Sequence, residues 1–289
     1  MKNGVIMRRI RIVLMTLFML TCFATAAAAE MADCTIKMIY KEKGKLPLIA
    51  KKPDDSGAYL ELFSKAAEDI GCKLTVSRSS KKRLHQSLEK GEVDFYPGAS
   101  YSAKRSKYLH YVPNGFQTGE YGITSLEFPE IQDYQQVKEL GMLWLMELGS
   151  SKTDIANRIG IETQSVNSAD IEKARLLIEK GRKTFYVADK ELVDFYLKTK
   201  GLKNFKEANL KVHYECCGGN NPMYMAFSRF SNHIKEIPNP NYDPSKKLSP
   251  RNAPKILDPN SVAAKLGKAL EKLMKSGETE KIYQKYFSK

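Results

Sequence analysis

Strands alternate with helices along this 289-residue chain, and the alternation predicts an α/β protein built on open, mostly parallel sheets flanked by helices. Three observations carry that prediction. Residues 35–96 read strand, helix, strand, helix, strand. The same grammar restarts at residue 132 and runs to 199. An amphipathic helix then closes the chain.

Residues 35–40 alternate and are β-prone, which makes them the first strand. Gly57 opens a helix in which Tyr59, Leu60, Leu62, Phe63, Ala66, Ala67 and Ile70 recur at helical spacing, and Gly71 stops it. Residues 74–77 form a second strand. A second helix over 81–90 carries Leu84 and Leu88 and stops at Gly91, and 93–96 form a third strand. In the second unit the spacing predicts a helix over 132–140, a strand over 142–147 and a turn at Gly149-Ser150-Ser151. Helices over 153–159 and 171–180, a strand over 185–188 and a helix over 191–199 follow. Residues 223–227 are a further strand. Residues 235–260 hold Pro238, Pro240, Pro244, Pro250, Pro254 and Pro259 and read as a long surface loop. The helix over 262–274 and a short helix reaching Phe287 end the chain.

The N-terminus has the grammar of a secretory signal. Lys2, Arg8, Arg9 and Arg11 precede an apolar run over 12–23, and Ala27-Ala28-Ala29 fits a cleavage site before Glu30. The run is short for a membrane span, which needs about 20 residues. Thr21 before Cys22 argues against lipidation there. Removing residues 1–29 deletes four positive charges and no acid, so the formal charge falls from +14 to +10. The lysines are spread over predicted helix faces with no nucleic-acid motif, so no nucleic-acid partner is expected. The mature chain has room for two lobes of ordinary domain size and is expected to be a periplasmic monomer.

Four cysteines remain: Cys34, Cys72, Cys216 and Cys217. An oxidising compartment favours pairing. Cys34 and Cys72 open the first and second strands, neighbours about 4.8 Å apart in a β-α-β unit, and a bond between them is expected. Cys216 and Cys217 then form a vicinal bond or stay as free or crossed thiols. No C-x-x-C or histidine pair accompanies them, and His85, His110, His213 and His233 are scattered, so neither metal nor cofactor is expected.

Two local patterns bear on function. Arg105 closes SYSAKR, and Asp189 closes GRKTFYVAD just past a predicted strand. A guanidinium offers a rigid fork that matches a carboxylate. A carboxylate at a strand's C-terminal end points into the crevice of such sheets. Ser150, Ser151 and Lys152 sit where a strand turns into a helix, a place that favours an anion. Helix capping accounts for Ser102, Ser150, Ser151 and Asp189 without any ligand.

Four stretches taken together resemble the bacterial periplasmic solute-binding proteins of polar amino-acid transporters, family 3. They are GAYLELFSKAAEDIG (57–71), LHQSLEKGEVDFYPGASYSAKRSKYLHYVP (84–113), LGSSKTD (148–154) and LGKALEKLMKSGETEKIYQKYF (266–287). The resemblance implies the two-lobed type II periplasmic-binding-protein fold, hinged by two crossings. Lobe 1 would hold 30–118 and 223–289, and lobe 2 would hold 119–222. It also implies that Arg105 binds a ligand carboxylate, that Ser100 contacts the ligand, and that Asp189 holds an α-amino group. Two departures stand out. Thr184 stands where the family often has Asp. Lys45 stands where the family often has an aromatic two residues before a proline, here Pro47. Tyr40 or Tyr59 is a substitute for that aromatic, or Lys45 reads a second negative charge.

The implied function is capture of a small carboxylate-bearing solute, an amino acid first, for an ABC permease in the inner membrane. A sensory role with a non-amino-acid ligand is the alternative. Cyclohexadienyl dehydratases share the fold, and that chemistry needs a positioned acid, for which Glu147 and Glu215 are the nearby residues.

Overall fold

The computed structural model describes residues 34–287. The signal-like segment 1–29 lies outside them. The first sheet is built from β1 (Thr35–Lys41), β2 (Lys73–Ser79), β3 (Phe95–Ala99), β4 (Leu109–Thr118) and β10 (Asn221–Ser228), in the order β2-β1-β3-β10-β4. The second contains β5 (Glu120–Ser125), β6 (Leu143–Glu147), β7 (Thr163–Val166), β8 (Thr184–Asp189) and β9 (Leu210–His213), in the order β7-β6-β8-β5-β9. Within each, three parallel strands lie beside an antiparallel return, β10 in one and β5 in the other. This is the two-lobed type II periplasmic binding fold.

Crossover helices follow from the sequence pattern. In α1 (Ala58–Asp69) the residues Tyr59, Leu62, Phe63, Ala66 and Ala67 are buried, a stripe at helical spacing. That stripe meets Ile36, Met38, Phe95, Phe227 and Leu266, the last from α7 (Val262–Lys275). α2 (Lys81–Glu89) buries Leu84 and Leu88 against the other face. In the second lobe, Trp144 packs with Phe185, Val137 of α3 (Tyr134–Glu139) and Ala156 of α4 (Thr153–Ile159). Helices α5 (Ile171–Glu179) and α6 (Lys190–Lys200) complete it, and α8 (Glu278–Phe287) seals the first core through Ile282.

β4 escapes a sequence reading because Pro113-Asn114-Gly115 lies in its middle and looks like a turn. Asn114 repairs the ladder there. It is fully buried, its amide donates to the Pro97 carbonyl at 2.7 Å, and its Oδ1 accepts from Phe116 N–H at 2.9 Å. Gly115 takes φ +89, a conformation glycine adopts without strain. The Pro-rich segment is also more ordered than a surface loop. β11 (Glu236–Pro238) pairs with β12 (Lys255–Leu257), and Asn252 ties the tip by donating to the Asp243 carbonyl at 2.9 Å.

The chain passes between lobes at Gly119 and through residues 214–220. Thr118 Oγ1 donates to Glu191 at 2.8 Å across the first crossing. Cys216–Cys217 is bonded in the second, and Tyr134 donates to the Cys217 carbonyl at 3.2 Å. Cys34 and Cys72 are bonded at the head of the β1–β2 register, with their Cα atoms 4.6 Å apart. Among the described residues no helix is long and apolar enough to cross a membrane.

Two stability outcomes follow. A Cβ at Gly98 would overlap the buried Tyr59 hydroxyl, so Gly98→Ala should cost about 1–3 kcal/mol in urea melts. The Cys34–Cys72 bond closes a loop with a separation of 38 residues. Replacing both with Ser should cost about 2–4 kcal/mol by the same measurement.

Candidate functional site

The C-terminal ends of parallel strands from both sheets converge on one cavity of about 410 Å³. Lys41 ends β1, Ser100 follows β3, Glu147 ends β6 and Asp189 ends β8. All seven residues singled out from the sequence line this cavity: Lys45, Ser100, Arg105, Ser150, Ser151, Lys152 and Asp189.

Their local roles differ from one another. Arg105 opens a short 3-10 turn, and its backbone N–H reaches the Ser102 hydroxyl at 3.4 Å. Its guanidinium donates to the Gly149 carbonyl of the opposite lobe at 2.6 Å. Among the described residues no carboxylate pairs with it. Asp189 stands at the N-cap position of α6, yet its side chain makes no capping hydrogen bond and turns to the Lys45 ammonium. Ser150 accepts from Lys152 N–H at 3.2 Å, which uses one of the amides expected to be free for an anion. The Lys152 ammonium pairs with Glu120. Lys45 thus meets a carboxylate of the protein itself, where the sequence left it free for a ligand's second negative charge. Tyr40 and Tyr59 do not substitute for the missing aromatic. Both are 1% exposed in the first core and neither lines the cavity, while Tyr96, stacked on Tyr40, does line it.

Sequence reasoning missed Lys41, Lys81, Glu120 and His85. Lys41 and Lys81, from the first lobe, share the carboxylate of Glu147 in the second, at 3.0 and 3.5 Å. Glu147, one of the two residues considered as an acid, is therefore engaged by two cations. The other, Glu215, does not line the cavity. The signal for Lys41 and Lys81 was their place at a strand end and at a helix start, which is legible only once those ends are known to converge.

Burial first, then repulsion from Lys41 and Lys81, hold the Lys45 ammonium down to about 7. Glu191 and Glu120 act the other way. Burial first, then Lys41 and Arg105, lower Lys81 to about 8 against the pull of Glu147. His85 is pushed down to about 3 by burial, then by Arg105 and Lys81, so its imidazole is neutral. Its Nδ1 lies 3.3 Å from the Tyr108 hydroxyl, and among the described residues its Nε2 has no hydrogen-bond partner. The other histidines are spoken for. His213 Nδ1 accepts from Ile131 N–H at 3.0 Å, His110 meets Glu236 at 2.7 Å, and His233 meets the Thr35 carbonyl at 3.1 Å. Among the described residues no cluster of His, Cys, Asp or Glu is arranged to hold a metal ion.

A polar cleft between two hinged α/β lobes is the architecture of a solute-binding protein. The chain belongs to the bacterial extracellular solute-binding proteins, family 3, whose profile matches residues 46–289. Similar solved structures include an ancestral arginine-binding protein bound to arginine, at 20% identity and TM-score 0.64, covering 89% of this chain and 99% of that one. The arginine-, lysine-, histidine-binding protein of Geobacillus stearothermophilus follows at 15% identity and TM-score 0.63, with 88% and 96% covered. An ancestral amino acid-binding protein described as a precursor of cyclohexadienyl dehydratase is 14% identical at TM-score 0.61, with 88% and 95% covered. At these identities the likeness is one of fold. No curated protein sequence matches the chain.

The lowered lysines give the site a pH signature. A carboxylate ligand favours the charged ammoniums of Lys45 and Lys81 and so raises both pKa values on binding. Binding therefore takes up protons above about pH 7, and affinity falls as pH rises from about 7 through 8. Calorimetry in buffers of differing ionisation enthalpy reads the uptake directly. Proton release in its place would rule this assignment out.

Proposed function

We propose that the protein captures a small carboxylate-bearing solute between its lobes in the periplasm and delivers it to an ABC permease in the inner membrane. The observation that carries this reading is Arg105. Its guanidinium lines the cavity with no carboxylate partner among the described residues, while Lys41, Lys45, Lys81, Lys152 and Lys200 each have one and Lys43 is exposed to solvent. A charged fork left open on a cleft wall is a carboxylate receptor. Ser100, Ser150 and Ser151 stand around the same cavity as hydroxyl donors and acceptors. We assign the lobes to residues 30–118 with 223–289 and to 119–222, and export to cleavage after residue 29.

An α-amino acid is the first ligand class to test, since the family resemblance gives Asp189 the amine and the similar structures include proteins described as binding arginine, lysine and glutamine. A binding role also fits the cleft better than dehydration. The acid such chemistry needs would be Glu147, and two lysines already hold it. The Lys45–Asp189 pair favours a second reading, in which the ligand is not an amino acid and the protein serves as a sensory or accessory receptor.

Ligand binding adds to folded-state stability, so a ligand should raise the melting temperature of the mature protein in a screen of amino acids and small organic anions. Arg105→Ala should erase that shift and weaken binding at least about tenfold, the weight of a charge-assisted hydrogen-bond pair. A shift that survives the substitution would remove Arg105 from the site.

A further inference from the structure

The carboxylate to which the family resemblance gives a ligand's amine already holds an ammonium in this cleft. Lys45 Nζ sits against Asp189, reaching from the turn after β1 to the end of β8 on the opposite lobe. The backbone beneath Lys45 is fixed. Its N–H donates to the Ile49 carbonyl at 2.7 Å, and Ile49 N–H returns to the Lys45 carbonyl at 3.1 Å. The turn that carries the side chain is thus fixed, and the ammonium at its end meets Asp189.

The remaining wall charges do not cancel. Two lysines share Glu147, Lys152 takes Glu120, Lys45 takes Asp189, and Arg105 takes only a carbonyl. Among these lining residues five cations therefore face three carboxylates, an excess of two positive charges, while the buried Glu191 near Lys45 lies outside the lining and is held by the Thr118 and Tyr283 hydroxyls. Counting the remaining lining residues leaves the same excess, because Lys43 and Lys200 are balanced in number by Asp170 and Glu172, of which Lys200 and Glu172 form an ion pair. Half-buried charge without a counter-charge is unfavourable, so the cleft is complementary to a group that brings two negative charges and no positive one.

We propose that Lys45 is a built-in occupant of the ammonium subsite, and that the ligand is a small organic dianion without an amine, a dicarboxylate or a phosphate monoester. Its acidic groups reach Arg105 on one side and the Lys41–Lys81 pair on the other. The proposal rests on the cleft being a solute-capture site and specifies what that site takes. A zwitterionic amino acid adds no net charge, and to reach Asp189 it must evict Lys45 and leave that ammonium unpaired in the wall. A dianion evicts nothing.

Titration calorimetry on the mature wild-type protein, Asp189→Asn and Lys45→Met tests this with four probes: succinate, glycerol 3-phosphate, glutamine and arginine. The wild type should bind succinate or glycerol 3-phosphate about 100-fold more tightly than glutamine or arginine, the scale set by stranding a buried charge. Which of the two dianions wins decides between dicarboxylate and phosphate ester. Asp189→Asn frees a cation and should hold or tighten dianion binding, where a site that grips an amine would lose its ligand. Lys45→Met should weaken the dianion about tenfold and let glutamine in. Wild-type preference for glutamine or arginine, lost in Asp189→Asn, overturns the proposal and leaves solute capture standing. Binding of none of the four probes overturns both.

Discussion

Lys41 and Lys81 stand on one lobe and Glu147 on the other, and the ion pairs among these three groups join the two walls of the cleft. Parallel strands force this arrangement. Each must end where its crossover helix begins, so every strand end is a place where backbone turns and a side chain is left pointing outward. Two sheets that face one another by those ends bring their unsatisfied groups together. Across the cleft the first lobe supplies the ammonium and guanidinium groups of Lys41, Lys45, Lys81 and Arg105, and the second supplies the carboxylates of Glu147 and Asp189 and the Gly149 carbonyl, while Lys152 and Glu120 pair within the second lobe. The cavity is what remains after these groups have paired across it.

That division of charge explains why a basic protein has an acidic wall in its binding site. The formal charge of +14 says nothing about where the lysines meet acids. At the surface most ion pairs are exposed and contribute little, as between Lys275 and Glu271 on α7. In the cleft the same chemistry is half-buried, repulsion between like charges adds to burial, and lysine pKa values move toward neutrality. A site of this kind responds to ligand charge before it responds to ligand shape.

Much of the fold was legible because helical and strand periodicities are strong where one face is buried. The buried stripe of α1 and the helix over Thr153–Ile159 are read directly from spacing. β4 was not legible, because Pro113-Asn114-Gly115 signals a turn and only the tertiary position of Pro97 gives Asn114 its ladder-mending role. The site was legible in its members and not in its wiring. Arg105 and Asp189 are recognisable by the residues around them. That Lys45 would reach Asp189 depends on a contact spanning two lobes, and no local pattern encodes it. Lys41 and Lys81 were invisible for the same reason.

The strand β10 lies between β3 and β4 and pairs with both. It is made more than a hundred residues after β4 ends at Thr118. The first sheet therefore stays open along its centre until the whole second lobe has been synthesised, whereas the second sheet draws all five of its strands from one continuous stretch. Long-range pairings of this kind form late because the intervening chain must be ordered or looped out first. The lobe that begins the chain is in this sense the last to close. A chain threaded through a membrane before folding would carry an unfinished first sheet, with the early Cys34–Cys72 link already available to hold β1 beside β2 while the centre waits.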